Sequence, residues 1–195
     1  RGHTVSVLTT TFQAGTYEAG QVSNGFDEYV DRIRSEPAFA GVNLVVTPSW
    51  GRCGVFRNFN YAPAAVHRFR ELVDDPAKCP DVVHCHEVFS HVLAIIASRA
   101  RQFGVPYVIT PHGSLDRICY QNGHAILKKL FSAVWVKNNL MNSAFLHVTS
   151  EFEAAQVAHL EKWIAKTPIR IIPLGAELPQ FDSKTAREEF LKSFP

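Results

Sequence analysis

Cysteine, charge and long apolar runs are all scarce in this sequence. The 195 residues contain four cysteines and no CxxC pair, which excludes a disulfide-based fold. Charged residues make up 19% of the chain and the formal net charge is +2, too small to indicate a nucleic-acid partner. The longest apolar runs, such as residues 92–97, are far shorter than the roughly 18 residues of a spanning helix. The class that remains is a globular domain with one sizeable core.

The few cysteines are predicted to be reduced thiols, as expected for a cytoplasmic protein. Cys85 lies inside an apolar run of the sequence. A buried thiol behaves as a small hydrophobic side chain, so we expect Cys85 to pack in the core.

Strand and helix patterns alternate along the chain. Apolar, β-branched runs predict strands at residues 4–11, 41–48, 81–85, 105–110, 144–149 and 169–173. Apolar residues at helical spacing predict helices at residues 61–75, 88–104 and 124–141, and from Ser150 to about 163. Ser150 and Glu153 form an S-x-x-E capping box at the start of the last helix. Strands that are apolar at nearly every position and alternate with helices indicate an α/β fold, a doubly wound parallel sheet covered on both faces.

Polar residues follow almost every predicted strand. In open α/β sheets, ligands bind beyond the carboxyl ends of the strands. The segments at these positions are residues 9–11, 86–87, 112–116, 150–151 and Gly175. We therefore expect a ligand site at this edge of the sheet.

The segment YVITPHGSLD, residues 107–116, places a polar cluster directly after a buried strand. His112 can donate a hydrogen bond to a developing charge or transfer a proton near neutral pH, and its alternative is a turn-stabilising role. Gly113 lets the backbone adopt a conformation closed to other residues or approach a ligand closely. For Ser114 and Asp116 the alternative to ligand binding is hydrogen bonding to the backbone of the turn.

Two histidines, His84 and His86, lie two positions apart on one predicted strand and so face the same side. His84, inside the apolar run, is expected to be a hydrogen-bonded core residue. His86 lies with Glu87 past the predicted strand end, where ligand binding and a structural role are equally open. A zinc site formed by His84, His86, His91 and His112 would indicate a metal-dependent hydrolase, but the carboxylate ligands of such a site are not evident.

The segment at residues 123–141 combines a broad apolar set with Lys128, Lys129 and Lys137. A basic amphipathic helix of this kind can rest on an anionic membrane surface, and the alternative is an ordinary domain helix.

Five segments together resemble the N-terminal domain of the GT-B glycosyltransferases of family 4, the group 1 enzymes of polysaccharide and lipopolysaccharide assembly. They are residues 1–10, 81–87, 105–116, 146–157 and 169–181. Their order and spacing match a Rossmann-like domain of that family over nearly the whole chain.

This resemblance implies retaining transfer of a sugar from a UDP- or GDP-sugar donor to a glycan or lipid-linked acceptor, without a required metal or other cofactor. The reaction would take place between two Rossmann-like domains of a cytoplasmic enzyme that is expected to associate peripherally with the inner face of the membrane. A GT-B enzyme that is not a transferase, such as a nucleotide-sugar epimerase, is the alternative within this fold. A non-catalytic binding module is the other.

The resemblance also implies roles for individual residues. His112 matches the histidine beside the donor sugar and the reacting bond, and it is the predicted catalytic residue. Gly175 is the predicted hinge. The predicted donor- and acceptor-binding residues are Gly113, Ser114, Asp116, His86, Glu87, Ser150 and Glu151.

The same resemblance divides the chain at residue 173. Residues 1–173 would form the N-terminal, acceptor-side domain without its first strand. Residues 174–195 would form the interdomain connector, with Leu174 and Glu177 in place of the usual Asn and Asp. The sequence of this segment also predicts the start of a new helix, with Ser183 as its N-cap. The family's C-terminal domain, with its E-x7-E motif, would be missing, so this piece alone is expected to be inactive.

Seven residues lie between Glu153 and Glu161, as between the two glutamates of the E-x7-E motif, but both residues fall in the wrong domain. They follow the capping box on a predicted helix and lie eight positions apart. We therefore expect both to lie on a solvated helix face.

Overall fold

The computed structural model describes residues 2–10, 31–32, 35–49, 59–118, 125–157, 160–164, 166–175 and 192. The predicted N-cap Ser183 and the connector residue Glu177 lie outside these residues.

Strands and helices alternate as the sequence predicts. The strands are β1 Val5–Thr10, β2 Val42–Thr47, β3 Val83–His86, β4 Tyr107–Thr110, β5 Phe145–Val148 and β6 Ile169–Ile171. The helices are α1 Pro63–Asp74, α2 His91–Gln102, α3 Ala125–Phe131, α4 Lys137–Met141, α5 Glu151–Val157 and α6 Glu161–Ile164. A short 3-10 turn, Pro37–Phe39, precedes β2.

All the strand pairs in the described residues are parallel, which confirms the predicted α/β class. β1 pairs with β2, and β3, β4, β5 and β6 form a second sheet in that order. Each successive strand of the second sheet therefore lies beside the one before it, and the helical connections cross over between them.

The helices α1 and α2 follow from simple sequence signals. Pro63 lies in the first turn of α1, where its missing N–H would be unpaired in any case. Apolar residues at four-residue steps, such as Phe69 and Val73, bury one face of α1, and that face packs near α2. The helix α2 ends before Gly104, whose φ of 73° lies in the left-handed region that terminates helices.

The core is centred on β4, in which all four residues are buried. The edge strand β6 differs, since all three of its residues are exposed. β1 is also largely exposed, with Val5 at 49%. Coverage of every strand on both faces, the sequence-based expectation, is therefore wrong for these two strands. Burial of a strand face requires an element packed on it, and the apolar pattern of β6 does not show whether one is there.

The predicted helix at residues 124–141 is interrupted by a π-helical turn, Ser132–Val136, between α3 and α4. Phe131, Val136 and Leu140 are buried on one side of this helical segment. Three apolar side chains on the other side are exposed: Ile126 at 78%, Leu130 at 60% and Val134 at 60%. None of the helices in the described residues is long and apolar enough to cross a membrane.

Candidate functional site

The carboxyl ends of β3 and β4 bring two polar segments together. The parallel register pairs His84 with Val108 and His86 with Thr110. Beyond the strands, the N–H of Glu87 donates to the Thr110 carbonyl at 2.8 Å. The residues that follow the two strands therefore lie side by side. His86 is itself the last residue of β3, because the ladder continues to the pair with Thr110. The prediction that His86 lies past the strand end is therefore wrong by one position.

The loop after β4 is held in an uncommon backbone conformation. His112 has a φ of 51° and Gly113 a φ of 74°, so two successive residues are left-handed. For a residue with a side chain this conformation costs about 1–3 kcal/mol, and it persists only where the surroundings enforce it. The loop exposes the His112 side chain at the edge of the sheet, where the sequence predicts a ligand site.

Ser114 and Asp116 both stabilise the turn. The Ser114 hydroxyl donates to the Pro111 carbonyl, and a carboxylate oxygen of Asp116 accepts a hydrogen bond from the Ile118 N–H at 2.7 Å. Leu115, between them, is fully buried and anchors the turn to the core. These hydrogen bonds to the backbone of the turn are the role that the sequence offers as the alternative to ligand binding. Ligand binding by either residue stays a prediction.

His86 and His112 form a hydrogen-bonded pair. His86 Nδ1 lies 2.8 Å from His112 Nε2, and the two rings are nearly parallel, with 13° between their planes. Only one of these two nitrogens carries the proton between them, so the protonation of each ring depends on the other. Desolvation, reinforced by the nearby His112 and His147, lowers the pKa of His86 below its ordinary value of 6.5.

A second chain of hydrogen bonds connects three strands. His84 Nε2 lies 2.6 Å from Thr110 Oγ1, which lies 3.0 Å from His147 Nδ1. His147 Nε2 lies 2.8 Å from the carbonyl oxygen of Ile172. Since a carbonyl only accepts, His147 Nε2 is the donor there, and with a neutral His147 the Thr110 hydroxyl donates to Nδ1 and accepts from His84. This series of hydrogen bonds therefore links β3 to the segment after β6.

His84 is hydrogen-bonded, as predicted, but it is not part of the core: the residue as a whole is exposed, while its ring is partly buried where it contacts Thr110. Its neighbour in the strand, Cys85, points to the other face and is buried, as predicted, and burial raises the pKa of its thiol to about 12. The rings of His84 and His86 lie 4.3 Å apart, which confirms that they share one side of β3.

Acid is expected to destabilise the fold through His84. Desolvation, with smaller contributions from His86, His147 and His112, lowers the pKa of His84 from 6.5 to about 4. The unfolded chain therefore takes up a proton as the pH falls through 6.5, while the folded chain resists it until about pH 4, so stability is lost between these values. Thermal unfolding midpoints measured from pH 7 to pH 4 should fall.

The fall should be shallower in His84→Gln, whose amide N–H₂ can still donate to Thr110 but does not titrate. His3→Gln, at an exposed position, is the matched control and should keep the wild-type slope. An unchanged slope in His84→Gln would contradict this assignment.

Glu153 is buried, with 7% of its surface exposed, so its expected place on a solvated helix face is wrong. The side chain of Glu161 lies outside the described residues. Glu153 is the third residue of α5, and the helix follows β5 so closely that this position points back to the sheet edge. Its Oε1 accepts a hydrogen bond from Gly113 N at 2.9 Å, and its Oε2 accepts from Thr149 N at 2.8 Å and from Thr149 Oγ1 at 2.9 Å.

The predicted capping box is confirmed, in an altered form. The Ser150 hydroxyl accepts a hydrogen bond from Glu153 N at 3.1 Å. The carboxylate bonds to Thr149, one residue before the N-cap, in place of the N-cap itself. Glu151 is exposed in the first turn of α5.

Two other predicted site residues, Glu87 and Gly175, lie at the same edge of the sheet. Glu87 has a φ of 86° and hydrogen-bonds the side chain of Ser114. Desolvation raises the pKa of Glu87 above 4.5 in spite of that bond and of the nearby His112. Gly175, the predicted hinge, is exposed three residues after Ile172. The structure thus brings the loops after β3, β4 and β5 together, and places Gly175 past the end of the second hydrogen-bond chain.

The four histidines His84, His86, His91 and His112 do not form a metal site together. Among the described residues no group of three or more His, Cys, Asp or Glu side chains could hold a metal ion. His91, one of the four histidines considered, has its ring against Tyr61, with 4.6 Å between ring centroids.

Three residues of this edge were not singled out by the sequence as site residues: Thr110, His147 and Glu153. Thr110 and His147 lie within apolar strands and carry no motif of their own. Glu153 did carry a signal, since the third-position glutamate of a capping box points back toward the preceding loop.

Comparison with known proteins agrees with the resemblance seen in the sequence. The family model described as glycosyl transferase 4-like domain matches residues 1–175, which is most of the chain. No curated protein matches the chain. With parallel sheets, alternating helices and this match together, the chain belongs to the family 4-like glycosyltransferases and corresponds to their N-terminal domain.

Proposed function

We propose that this chain is the acceptor-side half of a retaining glycosyltransferase that moves a sugar from a UDP- or GDP-sugar to a glycan or lipid-linked acceptor. Residues 174–195 would connect it to a donor-binding domain. The observation that carries the proposal is the exposed His112, held left-handed at the carboxyl end of β4 and hydrogen-bonded to His86. The membership of the chain in a glycosyltransferase family supplies the reaction class.

The chemistry of sugar transfer gives His112 a role. Cleavage of the bond between the sugar and the diphosphate develops positive charge on the sugar and negative charge on the leaving group. Preorganised donors stabilise such charge. The pair with His86 engages His112 Nε2 and leaves Nδ1, on the other side of the ring, outside that hydrogen bond.

Gly113 contributes open space rather than a donor. Its N–H is already bonded to Glu153, and its carbonyl accepts from the Asp116 N–H at 3.0 Å. A Cβ placed on Gly113 would meet no atom within 4 Å, so a ligand can approach the Cα directly.

Product analysis tests the proposed function. The intact protein that contains this chain would be incubated with a panel of UDP- and GDP-sugars and candidate acceptors, and the glycosylated product detected by mass spectrometry. Transfer with the anomeric configuration of the donor retained, as read by NMR of the product, supports the proposal. Inversion, or hydrolysis or epimerisation of the donor as the only reaction, would contradict it.

Membrane association is part of the same proposal, and it rests on the exposed apolar row on α3 and the π-helical turn. Ile126, Leu130 and Val134 form this row at four-residue steps. Lys129 and Lys137 are exposed on the same helical segment. Apolar side chains flanked by lysines match the surface of an anionic membrane, which is the occupant we assign.

The double variant Ile126→Ser/Leu130→Ser is expected to bind anionic vesicles at least about 10-fold more weakly, because each change removes apolar area that would otherwise be buried in lipid. Co-sedimentation with phosphatidylglycerol-containing vesicles measures this, and wild-type binding should weaken with salt. Val82→Ser, at another exposed apolar position, is the matched control and should bind as wild type. Equal binding to zwitterionic vesicles would contradict the proposal. So would a change of oligomeric state in the double variant without lipid, since that would assign the row to a second copy.

A further inference from the structure

We propose that Glu153 is a positioning residue: it holds the main chain of Gly113 so that the His112 side chain faces the reaction. This inference rests on the proposed function for its effect on catalysis. The contact itself is a property of the fold and can be tested without any activity.

The contact joins two elements that are distant in the sequence. Glu153 lies at the start of α5, and Gly113 lies forty residues earlier in the loop after β4. A glutamate that served only to cap α5 would need hydrogen bonds within its own segment. Here one carboxylate oxygen serves Thr149 and the other, Oε1, is directed to the neighbouring loop.

The carboxylate is well suited to fix that loop. It is buried, and a hydrogen bond from a main-chain N–H to an ionised carboxylate is about twice as strong as one between neutral groups. Desolvation of Glu153, the largest single influence, would raise its pKa. The hydrogen bonds from Thr149 and Gly113 and the nearby His112 outweigh it, so the pKa is lowered below 4.5 and the group is ionised at neutral pH.

The geometry of the loop explains why such a restraint is needed. Directing the Gly113 N–H inward fixes the peptide between His112 and Gly113, both of which are left-handed. The imidazole of His112 is thereby directed outward, where it meets His86. Without the carboxylate, the loop would be free to return to ordinary conformations, and His112 would lose its fixed position. Glu153 therefore acts through His112 and does not touch the substrate.

The Gly113 amide is the first readout. In the isotopically labelled chain, we expect a downfield Gly113 amide proton that exchanges slowly with solvent. In Glu153→Ala this signal should move upfield and exchange at least 10-fold faster. Thr149→Val is the matched control: it removes a hydrogen bond to the other oxygen, Oε2, and should leave the Gly113 signal in place. A folded Glu153→Ala chain with an unchanged Gly113 amide would overturn the proposal.

Sugar transfer by the intact protein is the second readout. Glu153→Ala is expected to lower kcat by about 10- to 100-fold with a smaller change in KM, since the loss is in the orientation of His112. Glu153→Gln should recover part of this loss, because its amide oxygen can still accept from Gly113 while its N–H₂ group cannot accept from Thr149. If Glu153→Ala does not fold, Glu153→Gln carries the test through its Gly113 amide and its kcat. Activity that falls only in proportion to the unfolded fraction would overturn the positioning role. A wild-type protein that transfers no sugar, with the amide responding as expected, would instead contradict the proposed function.

Discussion

Replacing His112 with alanine is expected to reduce kcat/KM for sugar transfer by the intact protein at least about 100-fold. Its side chain is exposed at the carboxyl edge of the sheet and is hydrogen-bonded to His86. No other imidazole in the described residues belongs to this loop, so alanine removes the ring proposed to stabilise developing charge there, while the neighbouring His86 lies on β3. Initial rates at varied donor concentration measure the loss, and circular dichroism and the unfolding midpoint establish that the variant is folded.

The left-handed backbone at His112 calls for a second variant. Asparagine tolerates this conformation better than other non-glycine residues, so His112→Asn keeps the loop and removes the imidazole. We expect a loss of activity close to that of alanine. Near-wild-type activity in His112→Asn would show that the backbone conformation, and not the ring, is what matters, and would contradict the catalytic assignment. His3→Ala, at an exposed position, should leave the rate unchanged.

Most of the fold could be predicted from the sequence because its signals are local. Residues 105–110 are apolar, and the strand Tyr107–Thr110 found there is buried throughout. The end of α2 is marked by Gly104, which adopts the positive φ that its position suggests. The sequence could not show whether other elements pack on the faces of a strand. An apolar run such as residues 169–173 predicts a buried strand in either case. The exposure of β6 depends on its neighbours in space.

The candidate site was predictable to a different degree. His112 could be identified because it directly follows a buried strand, and the parallel register then places His86 beside it. Glu153 was predicted wrongly because its capping-box position, which directs the carboxylate toward the preceding loop, is also compatible with solvent exposure. Its burial results from a contact with Gly113, forty residues away, and no local pattern encodes a pairing over that distance. Thr110 was equally hidden, since a threonine in an apolar strand is ordinary in composition.

The largest effect on stability is expected from Leu146→Ala. Leu146 is fully buried in β5, and it is paired with Ile109 of β4 and Ile169 of β6. Loss of a buried leucine side chain costs about 2–5 kcal/mol, a large part of the roughly 5–15 kcal/mol that stabilises a domain. Chemical denaturation should show a lower midpoint with an unchanged slope, because the cavity changes stability and not the area exposed on unfolding.

Two matched variants test whether the loss of stability follows from the burial of the Leu146 side chain. Leu146→Met keeps the volume and should cost less than about 1.5 kcal/mol. Ile171→Ala removes a similar side chain from the exposed edge strand β6, where 45% of the isoleucine surface already faces solvent. It should therefore cost clearly less than Leu146→Ala, since less area leaves water on folding. Equal losses at the two positions would mean that β6 is covered in the folded protein and would contradict the arrangement described for this edge. Because β5 leads directly into Thr149 and Glu153, Leu146→Ala should also speed exchange of the Gly113 amide, in proportion to the lost stability.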